Sequence, residues 1–210
     1  MTRGLIFGEG HGESDSAINL ISRLWQHLQL DPTHVWTKVY RSSTLNTEDG
    51  IKKACTFARV EGFDKLLILR DEDDLCPRDT GPAGAEWIRE SALDIPAALV
   101  LLYREYETLF LPCLEIISAA NPGGGIHGEQ VAWIAPGTTF TGDFESVRGV
   151  KEWLSRRFPE GKKYKPRVDQ LAMTRLLDFD VLQESGLPCY GSLVRALQFL
   201  SSHTGHAVYP

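Results

Sequence analysis

Four short apolar runs set the limits on how this chain can fold. They are Gly4-Leu5-Ile6-Phe7, Val35-Trp36-Thr37-Lys38-Val39-Tyr40, Lys65-Leu66-Leu67-Ile68-Leu69 and Ala97-Ala98-Leu99-Val100-Leu101-Leu102-Tyr103. Each has the length and residue types of a strand, and the last is apolar throughout, as a strand buried on both faces should be. Between them lie stretches with helical spacing. Ala17, Ile18, Leu20, Ile21, Leu24, Trp25 and Leu28 form the first. Ile51, Ala54, Cys55, Ala58 and Val60 form the second, after a start at Thr47, and residues 83–93 form the third. Strand and helix alternate, which predicts an α/β fold with a parallel sheet and helices on both faces. The stretch Cys76 to Pro82 reads as a loop of breakers.

This regularity fails after residue 120. Residues 108–120 read as helical despite Pro112, 121–125 as a glycine-rich loop, and 146–158, 168–177 and 189–201 as further helices. His203 to Pro210 reads as a loose tail. The expected organisation is therefore an α/β domain over 1–120 and a mainly helical extension over 121–210 packed on it. A chain of 210 residues has room for that.

Composition narrows the function classes. The net charge is −6 and the pI about 5.5, so bulk electrostatics do not attract a polyanion. Binding of nucleic acid would need a local basic patch, a metal or a partner. One basic stretch exists: Lys151, Arg156, Arg157, Lys162, Lys163 and Lys165 fall between Arg148 and Arg167. It reads equally as a solvated helix face. Cys55, Cys76, Cys113 and Cys189 form no C-x-x-C pair and no zinc spacing, so they read as reduced structural thiols of a cytoplasmic protein. No signal peptide or membrane span is evident.

Acidic residues gather just after three of the apolar runs. Glu9 and Glu13 lie in Gly8-Glu9-Gly10-His11-Gly12-Glu13, Asp71 and Asp73 in Arg70-Asp71-Glu72-Asp73-Asp74, and Glu105 and Glu107 in Arg104-Glu105-Tyr106-Glu107. In an open parallel sheet these all fall on the carboxyl edge, where ligands bind. Carboxylates crowded together repel one another. A hard divalent cation relieves that repulsion and prefers oxygen ligands. The expectation is an Mg2+ or Mn2+ site with Glu9, Asp71 and Asp73 as ligands. Glu105 could add a ligand or hold a metal-bound water, Arg104 could hold a phosphate, and Glu107 reads better as a helix-opening acid. His11, beside Glu9, reads as a solvated residue of the glycine turn. The first turn matches neither a P-loop nor a dinucleotide fingerprint, since no Gly-Lys-Ser/Thr follows and no acid ends the second strand.

Glu9-Gly10 after the first strand, with Asp71-x-Asp73 after the third, resembles the Toprim pattern of topoisomerases, bacterial primases and OLD-type nucleases. Three further stretches are similar to a compact Toprim-like family of bacterial proteins often encoded beside ABC- or AAA-type ATPases in phage-defence loci. They are Glu9-Gly10-x-x-Glu13, Arg104-Glu105-x-Glu107-x-Leu109-Phe110-Leu111 and Tyr164-Lys165-Pro166-x-x-Asp169. The resemblance implies a Toprim-like, Rossmann-like sheet. It also implies Glu9 as general acid/base or metal-linked carboxylate, and Asp71 and Asp73 as Mg2+ ligands. Glu13 and Glu105 would be auxiliary acids, Lys165 a phosphate or transition-state contact, and Asp169 its structural partner.

The expected function is a metal-dependent nuclease of an anti-phage defence complex, hydrolysing phosphodiesters, DNA ahead of RNA, with an ATPase partner and with self-association left open. One alternative is a non-catalytic Toprim-like scaffold or regulatory subunit of that ATPase. Another is a small-molecule phosphotransfer enzyme or phosphatase.

Overall fold

The computed structural model describes residues 1–9, 13–120 and 134–210, without the side chains of Glu13, Ser14 and Lys38. The expectations for Gly10, His11 and Gly12, and for the loop at 121–125, lie outside the described residues. All four expected strands are present: β1 (Thr2–Gly8), β2 (His34–Arg41), β3 (Lys65–Glu72) and β4 (Pro96–Tyr103). They alternate with α1 (Glu13–His27), α2 (Glu48–Val60) and α3 (Pro77–Glu90). A fifth strand, β5 (Ala207–Tyr209), completes a wholly parallel sheet in the order β2-β1-β3-β4-β5. The fold is α/β with helices on both faces, as the alternation predicts.

Side chains alternate across each strand and so divide the interior into two cores. Leu5, Phe7, Leu66, Ile68, Leu99 and Leu101 meet α2 and α3 on one face. Ile6, Leu67, Leu69, Ala98, Val100 and Leu102 meet α1 and the second half of the chain on the other. That half comprises a 3-10 helix (Tyr106–Cys113), α4 (Leu114–Ala119), a short 3-10 turn (Phe144–Ser146) and α5 (Val150–Ser155). A π-helical turn (Pro166–Gln170), α6 (Leu171–Thr174), α7 (Phe179–Glu184) and α8 (Pro188–Ser202) follow. Two basic side chains of the first half tie it down by its carbonyls. Arg23 donates to Thr174 O at 2.8 Å and Leu177 O at 2.9 Å, and Lys65 donates to Leu200 O near the end of α8. Cations suit helix C-termini, where carbonyls lack intrahelical partners.

Three expectations need correction. The stretch Cys76 to Pro82 is not all loop, because α3 starts at Pro77. Proline suits a first helical position, where its missing N–H costs nothing. The tail is not loose, since Ala207–Tyr209 pairs with Pro96–Ala98 at the sheet edge. The helices expected at 108–120 and 168–177 are partly 3-10 and π in form, with Pro112 inside the one and Pro166 opening the other, and that expected at 146–158 is shortened to Val150–Ser155, after Gly149 at φ +67. Among the described residues no helix is long and apolar enough to cross a membrane.

Two local features yield tests. Thr47 caps α2, accepting from Gly50 N at 3.2 Å and donating to Thr44 O at 2.8 Å. This folds the loop tightly on the helix, and a Cβ at Gly50 would lie 1.9 Å from Thr44 O. Helix propensity alone says Gly50→Ala should gain about 1 kcal/mol. The close approach says it loses about 1–3 kcal/mol, which urea unfolding will decide.

His34 is buried between Trp25 and Trp36, with Nδ1 2.8 Å from Thr2 Oγ1. Burial, with the Lys65 charge nearby, pushes its imidazole down from 6.5 to about 4. The folded chain thus disfavours the protonated form. Stability is full above pH 6.5 and declines as the pH falls towards 4, by on the order of 3 kcal/mol. His34→Gln should flatten that part of the stability–pH curve.

Candidate functional site

The strand order reverses between β1 and β3, since β2 lies beyond β1 on one side and β4 beyond β3 on the other. A parallel sheet opens a crevice at such a point, outside the carboxyl ends of its strands. Glu9 follows directly on β1, Asp71 is the penultimate residue of β3, and Glu105 lies just past β4. Sheet order therefore delivers three of the sequence-derived acids to one edge.

Alternation sorts the acidic stretch of β3. Arg70 and Glu72 point to the α2/α3 face and form a buried ion pair with each other. Arg70 also donates to Leu45 O at 3.3 Å, and Thr80 donates to Glu72 at 3.0 Å. This pair is internal bracing. Asp71 points to the opposite face, towards α5. Asp73 would share that face if the strand continued, but β3 ends at Glu72 and the Asp73 side chain is exposed. Its carbonyl accepts from Arg104 Nη1 at 2.6 Å. Arg104, at φ +75 and stacked 4.1 Å from the Tyr103 ring, orders this loop through its guanidinium.

The centre of the site is a cation supplied by the chain. Lys151 Nζ lies 3.2 Å from Glu105 Oε1, 3.4 Å from Glu107 Oε2 and 3.9 Å from Asp71 Oδ2. Gly149, at φ +67, turns the backbone into α5, and Val150 and Leu154 anchor that helix in the core. The Lys151 amide donates to Glu105 Oε2 at 3.1 Å, so both ends of the lysine engage one carboxylate.

Glu107 lies in the first turn of the 3-10 helix, as a helix-opening acid would, and is fully buried there. Its Oε1 accepts from Tyr164 Oη at 2.8 Å and Gln170 Nε2 at 3.2 Å, whereas Oε2 accepts no hydrogen bond. Behind it, Thr174 donates to Gln170 O at 2.7 Å and lies 3.0 Å from the Tyr106 hydroxyl. Burial works against both charges. For Glu107 burial prevails over the Lys151 charge and the Tyr164 hydrogen bond, and the carboxyl is pushed up. For Lys151, the carboxylates of Glu107, Asp71 and Glu105 more than offset burial, and the ammonium is held above its usual range. Burial and the adjacent Glu107 charge likewise push the Tyr164 phenol far up, so it acts as a fixed donor.

The remaining sequence-derived residues fall around this centre. Glu9 is partly exposed, and Glu13 opens α1 with its side chain outside the described set. The Lys165 side chain is exposed. Its link to Asp169 runs through the backbone, the Lys165 amide donating to Asp169 Oδ2 at 2.7 Å. Sequence reasoning missed the central role of Lys151 and the burial of Glu107. Glu105-x-Glu107 carried a signal for the acids. Nothing in local spacing placed Lys151, which lies 46 residues beyond Glu105.

Among the described residues no three or more His, Cys, Asp or Glu side chains stand as a ready metal cage. No family model, curated protein or solved structure matches the chain.

The network makes a stability prediction. Tyr164→Phe removes a hydrogen bond to a buried charged acceptor and should cost about 2 kcal/mol. In a Glu107→Gln background the same change should cost about 1 kcal/mol, because the acceptor is then neutral. Urea unfolding of the four proteins gives the coupling directly.

Proposed function

We propose that the chain is a metal-dependent nuclease of Toprim type, hydrolysing phosphodiesters, with DNA as the first substrate to test. The observation that carries this reading is the convergence of Asp71, Glu105 and Glu107 on one positive centre at the carboxyl edge of the sheet. Asp71, Glu105 and Glu107 offer carboxylate oxygens, the donor type that Mg2+ or Mn2+ prefers. Glu107 Oε2, buried without a hydrogen bond, has capacity for a cation.

Asp71, Glu105 and Glu107 would hold the metal, with exposed Asp73 at the rim. A bound divalent cation would polarise a phosphoryl oxygen and lower the pKa of an attacking water. Glu9, at the end of the strand beside β3, would take or return the proton. Tyr164 and Gln170 fix the Glu107 carboxylate in place from behind. Exposed Arg156, Lys162, Lys163, Lys165 and Arg167 would meet backbone phosphates. A chain of net charge −6 binds a polyanion weakly by itself, which supports a role for the ATPase partner implied by the resemblance.

A second reading has its own observation. A lysine already neutralising the carboxylates is also what a scaffold subunit with a disused site would contain. The two are separated by cleavage assays on plasmid, single-stranded DNA and RNA, with Mn2+ or Mg2+ against EDTA, with and without the ATPase. The nuclease reading expects metal-dependent cutting that falls by a factor on the order of 100 or more in Asp71→Asn and Glu105→Gln. Cutting that survives both substitutions removes the assignment. No cutting with the partner present favours the scaffold.

A further inference from the structure

We propose that the Lys151 ammonium is a displaceable stand-in for the metal, occupying the cation position so that metal binds only when Lys151 leaves. This presupposes the metal site proposed above and adds its regulation. Three observations carry it. First, Lys151 Nζ is the point on which Asp71, Glu105 and Glu107 converge, within 3.9 Å of an oxygen of each. A second cation cannot share that position without strong repulsion. Second, Glu107 Oε2 is fully buried, faces Lys151 and accepts no hydrogen bond. The ammonium at 3.4 Å neutralises this oxygen without binding it as a donor should, so the site is filled but not satisfied. Third, the lysine has a way out. Its side chain is 33% exposed, while Val150 and Leu154 on the same helix stay buried. The flexible four-carbon stem can swing the ammonium to solvent while α5 remains docked. Once out, Lys151 stands at the rim with a free positive charge, beside where a phosphate would sit.

This arrangement scales the apparent metal affinity down to the intrinsic affinity multiplied by the fraction of molecules in which the lysine is displaced. It also keeps the carboxylates from unfolding the site when metal is scarce. The group is thus stable in either state and held by one cation at a time.

The test is Mn2+ binding to the full chain by titration calorimetry, comparing wild type with Lys151→Met, Lys151→Gln and Lys151→Arg, each also melted in EDTA and in Mn2+. The neutral variants should bind Mn2+ about tenfold more tightly or better. They should melt lower than wild type in EDTA and recover in Mn2+, which shows that the metal replaces the missing ammonium. Lys151→Arg, which keeps the charge, should bind no better than wild type. If wild type binds Mn2+ and the neutral variants bind it equally or less tightly, the stand-in role is wrong while the metal site survives. If neither wild type nor any variant binds Mn2+, and the melting temperatures ignore it, the metal site fails and the stand-in role fails with it.

Discussion

A buried carboxylate opposite a partly exposed ammonium is the constraint on which the second half of the structure depends. Glu107 is enclosed by the sheet edge, the 3-10 helix, Tyr164 and Gln170. An isolated carboxylate so placed would be prohibitive. It is tolerated because two donors fix one oxygen and Lys151 neutralises the other. Each partner comes from a different element: Lys151 from α5, Tyr164 from the extended segment after it, Gln170 from the π-helical turn. Satisfying one charge therefore fixes three elements against the end of β4.

The rest of the second half follows from burial and from carbonyl capping. Tyr106, Leu109, Phe110, Leu154, Leu193 and Leu197 share one core with α1 and the sheet. Arg23 and Lys65 reach from the first half to carbonyls near the ends of α6 and α8. The helical extension is thus wired to the sheet at both its polar and its apolar contacts. The acidic edge depends on it, because Lys151 comes from that extension.

Much of the fold was legible because its signals are local. Apolar runs such as 97–103 and the helical spacing of 17–28 report burial directly, and their alternation admits few topologies. Acids after strands 1, 3 and 4 were legible for the same reason, since a parallel sheet places all carboxyl ends on one edge. The misreadings came where context overrides a local cue. Pro77 looked like a breaker and serves as a helix start. Val208 and its neighbours looked like a tail and found an open strand edge. Glu107 read only as a helix-opening acid, because nothing nearby in sequence announces the tyrosine and glutamine that enclose it.

By itself the sequence determined the four-strand α/β alternation and the gathering of acids at one edge, both of which follow from residue periodicity and strand polarity. Tertiary structure alone decided which acids meet. β3 ends before Asp73, so its alternation no longer aims that side chain, while the fold of residues 150–170 back over β4 brings Lys151, Tyr164 and Gln170 to Glu105 and Glu107. Contacts across 46 to 63 residues are set by packing and charge neutralisation in three dimensions, and no local pattern encodes them.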